Sequence, residues 1–201
     1  MTFPIPQRTH DLMSGWWHSV QHVMTGLIAR YTPADGMPAP RLSRIEAGAI
    51  AIVLDILEAL VRRMLVVMGA GRGPATMPAQ KEKLLFRIDE LPPEPVIRTP
   101  RAGDPDFCLK PPPERALPSG RTPDGLVSSA PLLRRLAALA HVFANAELYL
   151  DAMRTRLCAP LKPLASPQPP AFSNPALTPD QADGMQHLHD VALCAQAWDS
   201  S

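Results

Sequence analysis

The sequence predicts an all-α protein, a small helical bundle built on two long antiparallel helices at about 43–70 and 130–158. Three observations carry that expectation. Leu42–Gly71 is the longest strongly apolar stretch, and it has helix start and stop signals at its ends. Leu132–Leu157 repeats apolar residues in an unbroken alternation of four and three. The 25 prolines cluster between such stretches, where they break neither a helix interior nor a sheet ladder. Strand pairs, Gly-rich hairpin turns and repeats of solenoid length do not emerge.

Taken in order, residues 1–8 read as a flexible N-terminus, with Pro4 and Pro6. Residues 9–91 hold three helices of a single domain. The first starts at Thr9 or Asp11 and buries Met13, Trp16, Val20, Val23 and Leu27, with Trp17 and Met24 beside them. The spacing of three and four puts them on one face. The second is the Leu42–Gly71 helix. Ser43 and Glu46 form a capping box, in which each side chain meets the other's backbone N–H. Ile50, Val53, Leu57, Leu60, Met64 and Val67 make its seam, widened by Leu54, Val61, Leu65 and Met68 and by Ile56. Asp55, Glu58 and Arg62 fall on the polar side with Arg44, and Gly69 and Gly71 offer left-handed C-cap positions. The third is a short helix over 79–91, with Leu84, Leu85, Ile88 and Leu91 on its apolar edge.

Residues 92–128 form a Pro-rich linker that is extended or disordered, containing PPEP and KPPPER. Residues 129–159 are the heptad-patterned helix, capped by Ser128 or Ser129 with Pro131 in its first turn. Its seam is Leu132, Leu136, Leu139, Phe143, Ala146, Leu150, Met153 and Leu157. Such an a/d pattern suits a helix bundle, with the second helix as natural partner, or self-association. Residues 160–177 are a second linker. Residues 178–201 are the C-terminal helix and tail, opened by Thr178–Pro179–Asp180–Gln181 as another capping box.

Charge and composition exclude some functions. A formal net charge of +1 lacks the concentrated basic surplus of a nucleic-acid binder. A membrane-spanning helix needs about 20 apolar residues, and Asp55 and Glu58 interrupt the best candidate near its middle. Three distant cysteines without a CxxC pair support neither a zinc knuckle nor a disulfide framework. With no secretory signal, a reducing cytoplasmic location is expected.

Candidate chemistry is sparse. His18 and His22 stand one helical turn apart, the spacing that lets two imidazoles share a metal ion. The order is HSVQH rather than HExxH, and His10 or Glu46 would have to complete the ligand set. His141, His187 and His189 are expected at the surface. Cys158 and Cys194 lack the electropositive setting of a reactive thiol. GAGRGP at Gly69–Pro74 follows a helix and lacks the P-loop ending, so it reads as a helix terminator. No residue pattern identifies a catalytic group, a cofactor or a small-molecule ligand. The function expected is therefore that of a non-enzymatic helical adaptor, regulator or subunit acting through helix–helix contacts. A metal-binding bundle using His18 and His22 is the alternative. A second is peripheral membrane association through the Trp16/Trp17 helix.

Overall fold

The computed structural model describes residues 2–33, 37–73, 84–89, 125–158 and 177–198. Among these are five helices and two short strands: α1 Gln7–Tyr31, β1 Arg41–Ser43, α2 Arg44–Gly71, β2 Leu126–Ser128, α3 Ala130–Ala144, α4 Ala146–Leu157 and α5 Pro179–Trp198. The all-α expectation holds, and α2 is the centre of the bundle.

Its start follows the sequence signal: the Ser43 hydroxyl accepts from the Glu46 N–H at 3.1 Å. Its expected seam is the core, with Leu54, Leu60, Met64 and Leu65 all at 0–1% exposure. Burial on that scale is worth about 1.5–3 kcal/mol for each such side chain. The C-terminal half goes further. From Ala59 to Ala70 only Arg62 and Met68 are not fully buried, as suits a helix enclosed on every side. Both α4 and α5 pack along it. At Gly69 a methyl group would come within 3.2 Å of Met153 Cγ, so the missing side chain is what lets α4 lie close. The helix does not end on a left-handed Gly69 or Gly71, both of which are helical. It ends through Arg72, and the positive φ of 75° falls on Gly73.

The heptad stretch is not one helix. It breaks at Asn145, whose φ of −132° and ψ of 44° leave the helical region. Asparagine competes for backbone partners and favours such ends: its side-chain amide donates to His141 O at 3.1 Å. The break lets the two halves serve different neighbours. Met153 and Leu157 of α4 meet Gly69 of α2, whereas α3 lies mainly along α1. The second long helix is thus a bent arm rather than a straight mate. Its apolar seam survives because both halves bury it.

Four further expectations are corrected. The N-terminus is docked rather than loose: the Phe3 N–H donates to Ala70 O at 3.0 Å, and the Phe3 ring meets Trp198 edge-on at 5.9 Å. Accordingly α1 begins at Gln7, two residues before Thr9. Val23 is exposed, and Met13, Val20 and Met24 are the buried apolar residues of α1. Residues 84–89 are not helical; Phe86 and Ile88 are buried while Leu85 is exposed, because the segment is held by Tyr149, as described below. Finally, the end of the first linker is strand: Arg41, Leu42 and Ser43 pair antiparallel with Ser128, Val127 and Leu126. The rest of both linkers lies outside the described residues, apart from Gly125 and Leu177. Thr178 and Gln181 do form the reciprocal capping box, at 3.0 and 3.3 Å.

Candidate interaction surface

The N-terminal half of α2 is unlike its buried second half. Ile45 is 88% exposed and Ile52 47%, and Gly48 and Ala49 between them are also exposed. Spacings of three, four and seven place all four on one helical face. Isoleucine exposed singly is ordinary, but a stripe of aligned apolar positions on a rigid helix is a contact surface in form. A methyl group on Gly48 would meet nothing within 4 Å, so the stripe has a flat, narrow waist between two bulky ends.

Charged residues frame it. Arg44 is exposed at the start of the helix. Asp55 stands beyond Ile52, with its side chain 68% exposed and one oxygen 2.6 Å from Arg135. Arg135 also reaches Glu58 at 2.7 Å, and Glu58 reaches Arg62 at 3.2 Å. Burial disfavours the Arg135 charge, but the hydrogen bonds it donates to Glu58 and Asp55 outweigh this and raise the pKa above the ordinary arginine value. This network ties α3 to the middle of α2. It also forms one wall of a cleft of about 430 Å³ lined by Phe86 and by Arg62, Arg87, Arg134 and Arg135, with Glu58 as the one carboxylate among its lining residues.

The other end of the stripe is anchored to α1. Tyr31 donates its hydroxyl to Glu46 at 2.8 Å, so the Glu46 carboxylate faces Tyr31 while its backbone N–H donates to the Ser43 cap. That hydrogen bond, with some help from burial, raises the Tyr31 pKa. Because the neutral phenol is the donor, the bond is complete below the ordinary tyrosine pKa and is lost as pH rises through the higher folded one. Alkaline titration of phenolate absorbance should therefore show a transition above the ordinary range that belongs to Tyr31. The late transition should vanish in Tyr31→Phe and move down in Glu46→Gln; an unshifted transition would show that the bond is not formed.

The histidines fall out differently. His18 and His22 are both exposed on α1, and the His18 Nδ1 is engaged with Ser14 O at 2.8 Å. His18 and His10 line a cleft of about 360 Å³, floored by Met13, Trp17 and Met68, and His22 does not. Glu46 is committed to Tyr31 at the far end of α1. No group of three metal-ligating side chains occurs among the described residues. His189, expected at the surface, is instead 2% exposed, and its Nδ1 accepts from Arg63 Nε at 3.1 Å. Nor is His141 free: its Nδ1 lies 2.8 Å from the Tyr149 hydroxyl. Thr9 and His187 make a similar contact at 3.0 Å. The Thr9 and Tyr149 residues are both at 0% exposure, so these hydroxyl–imidazole pairs staple α1 to α5 and α3 to α4.

Both tryptophans of α1 are used within the bundle. Trp17 packs on Phe143 of α3 at 4.5 Å between centroids, and Trp16 lies over Gly184 of α5, 3.4 Å from where a methyl would project. Among the described residues no helix is long and apolar enough to cross a membrane. Arg72 pairs with both carboxylate oxygens of Glu147, and that hydrogen bonding holds the Glu147 carboxyl below its usual range. The pair joins the end of α2 to the start of α4.

No known protein family, curated protein or solved structure matches this chain. In the sequence Ile45 and Ile52 stand seven apart and off the main seam, a spacing that puts them on one face but does not say whether another part of the chain covers it.

Proposed function

We infer that the protein is a non-enzymatic helical component that acts by helix–helix contact, through the exposed face of α2 formed by Ile45, Gly48, Ala49 and Ile52. The observation that carries this reading is the contrast within one helix. Its second half is enclosed by its own chain, whereas its first half presents an aligned apolar face to solvent. Helix-in-groove recognition reads such faces through anchors at these same spacings. The engagement of Trp16 and Trp17 inside the bundle leaves membrane-surface binding with less support. The exposed His18/His22 pair, lacking a third ligand among the described residues, leaves metal binding with less support too. A cytoplasmic setting suits this reading, in which the exposed thiols of Cys158 and Cys194 remain reduced.

The test is site-specific photo-crosslinking in the native cell. A photoreactive residue in place of Ile52 should give a discrete protein adduct that disappears when Ile45→Glu is added. The same residue in place of Gln21, exposed on α1, should not give that adduct. Equal labelling from both positions, or none from Ile52, would remove the reading.

A further inference from the structure

We propose that the occupant of the α2 face is a second copy of this chain, paired antiparallel about the point midway between Gly48 and Ala49. The inference rests on the contact-surface reading above and adds the partner and the register. Three features of the face point to it.

The first is shape. Ile45 and Ile52 lie equally far on either side of that midpoint, as do Gly48 and Ala49. A two-fold axis there sets each Ile45 against the Ile52 of the other copy, and Gly48 against Ala49. Two-fold interfaces are self-complementary in this way: if one residue meets a second, the second meets the first. The small residues at the waist let the backbones approach, and the isoleucines close over both ends.

The second is charge. Arg44 and Asp55 are eleven residues apart, about three helical turns, so they occupy the same flank of the stripe. A two-fold axis lying in the interface keeps like flanks together while reversing the helix direction. At about 1.5 Å per residue, Arg44 lies about 7 Å before the midpoint and Asp55 about 10 Å beyond it. In the pair, Arg44 of one copy therefore comes beside Asp55 of the other, twice. Within the chain Asp55 uses one oxygen for Arg135 and stays largely exposed, and Arg44 makes no ion pair among the described residues. A parallel two-fold pairing would instead put Arg44 and Asp55 of one copy on the opposite flank from those of the other, and neither cross-pair would form.

The third is rigidity. The face belongs to a helix whose other half is core, and whose first turn is tied by Ser43 and Tyr31. Pairing needs no rearrangement of the chain.

The contact is small relative to stable dimer interfaces, which bury about 1,200–2,000 Å² in total, so association is expected to be concentration-dependent. Sedimentation equilibrium of the full chain over a wide concentration range reads it. The mean mass should rise from monomer toward dimer. Ile52→Glu should weaken association at least about tenfold by placing an unpaired charge in the apolar contact. Arg44→Glu should weaken it roughly two- to fivefold by setting like charges side by side. Both side chains are exposed in the single chain, so thermal melts at concentrations where the chain is monomeric should be unchanged. Register is read by replacing Ile45 with benzoylphenylalanine in a mixture of isotope-labelled and unlabelled chains, where mixed adducts should join at or beside Ile52. Monomer at every concentration, a dimer indifferent to Ile52→Glu, or adducts mapping elsewhere on the second copy would each overturn the pairing. If the purified chain stays monomeric while the Ile52 crosslinker captures a different protein in the cell, the self-pairing falls and the contact surface stands. If neither gives an adduct, both fall.

Discussion

Tyr149→Phe should lower the unfolding free energy by about 2–4 kcal/mol, read as a lower urea midpoint at unchanged slope. Tyr149 is a side chain of α4 at 0% exposure. Its hydroxyl accepts from the backbone N–H groups of Leu85 at 3.2 Å and Phe86 at 3.1 Å. The third neighbour is His141 Nδ1 at 2.8 Å. With two donors already on the oxygen, the hydroxyl hydrogen points to the imidazole, and His141 carries its own proton on Nε2. Removing the oxygen leaves three groups without that partner: the Phe86 N–H is buried, where such a loss costs about 1–3 kcal/mol, while the Leu85 N–H and His141 are only partly buried and cost less. The phenyl ring itself is kept, including its edge-on packing against Phe86 at 6.3 Å, so apolar burial is nearly unaffected. Hydrogen exchange gives a local readout. Protection of the Leu85 and Phe86 amides should fall more than that of the α2 core. A loss of less than 1 kcal/mol, or no change at these amides, would show that Tyr149 does not anchor residues 84–89.

Arg63→Ala should cost about 3–5 kcal/mol, and Arg63→Met less than half as much. Arg63 is 1% exposed in the middle of the enclosed half of α2. Its guanidinium donates to Ala59 O at 2.9 Å and to His189 Nδ1 at 3.1 Å, which ties α2 to α5. An arginine can only donate, so His189 must offer a lone pair at Nδ1 and hold its proton on Nε2. Alanine leaves both a void and an imidazole without that donor. Methionine fills most of the void, sacrifices the hydrogen bonds and also removes the cost of keeping a charge out of water. Both variants remove the charge and its hydrogen bonds, so the difference between them isolates the volume that the side chain fills. Equal losses for the two variants would mean that the hydrogen bonds rather than the packing hold the site, contrary to the expectation stated.

These two residues also mark where sequence reading succeeds and where it stops. The α2 seam, its Ser43 cap, the Thr178 cap and the apolar line from Leu132 to Leu157 are all legible, because each follows from neighbours one helical turn away. Arg63 is invisible by the same logic. Beside Arg62 it reads as one of two polar positions, yet Arg62 lies near the surface with Glu58 and Arg63 is enclosed. Which of them turns inward depends on α5 arriving with His189. Tyr149 is similar. It sits off the heptad seam, and its burial is decided by residues 84–89 coming from more than sixty positions earlier in the chain.

The same division applies to the break at Asn145. Asparagine only weakly disfavours a helix interior, and the heptad spacing continues through Asn145 without a flaw. The bend reflects what each half packs against: α3 along α1, and α4 against the Gly69 waist of α2. The docked N-terminus has the same origin, since Phe3 finds Ala70 and Trp198 only once the bundle has closed.

By itself the sequence determined the helical class, the central place of α2 and the Ser43 and Thr178 caps, because periodicity and capping are local physics. Tertiary structure alone decided which polar residues are buried, where the long heptad stretch bends, and that the Ile45–Ile52 face stays uncovered. Those outcomes depend on which surfaces other parts of the chain reach, and no short-range pattern along α2 records that its first half is left open.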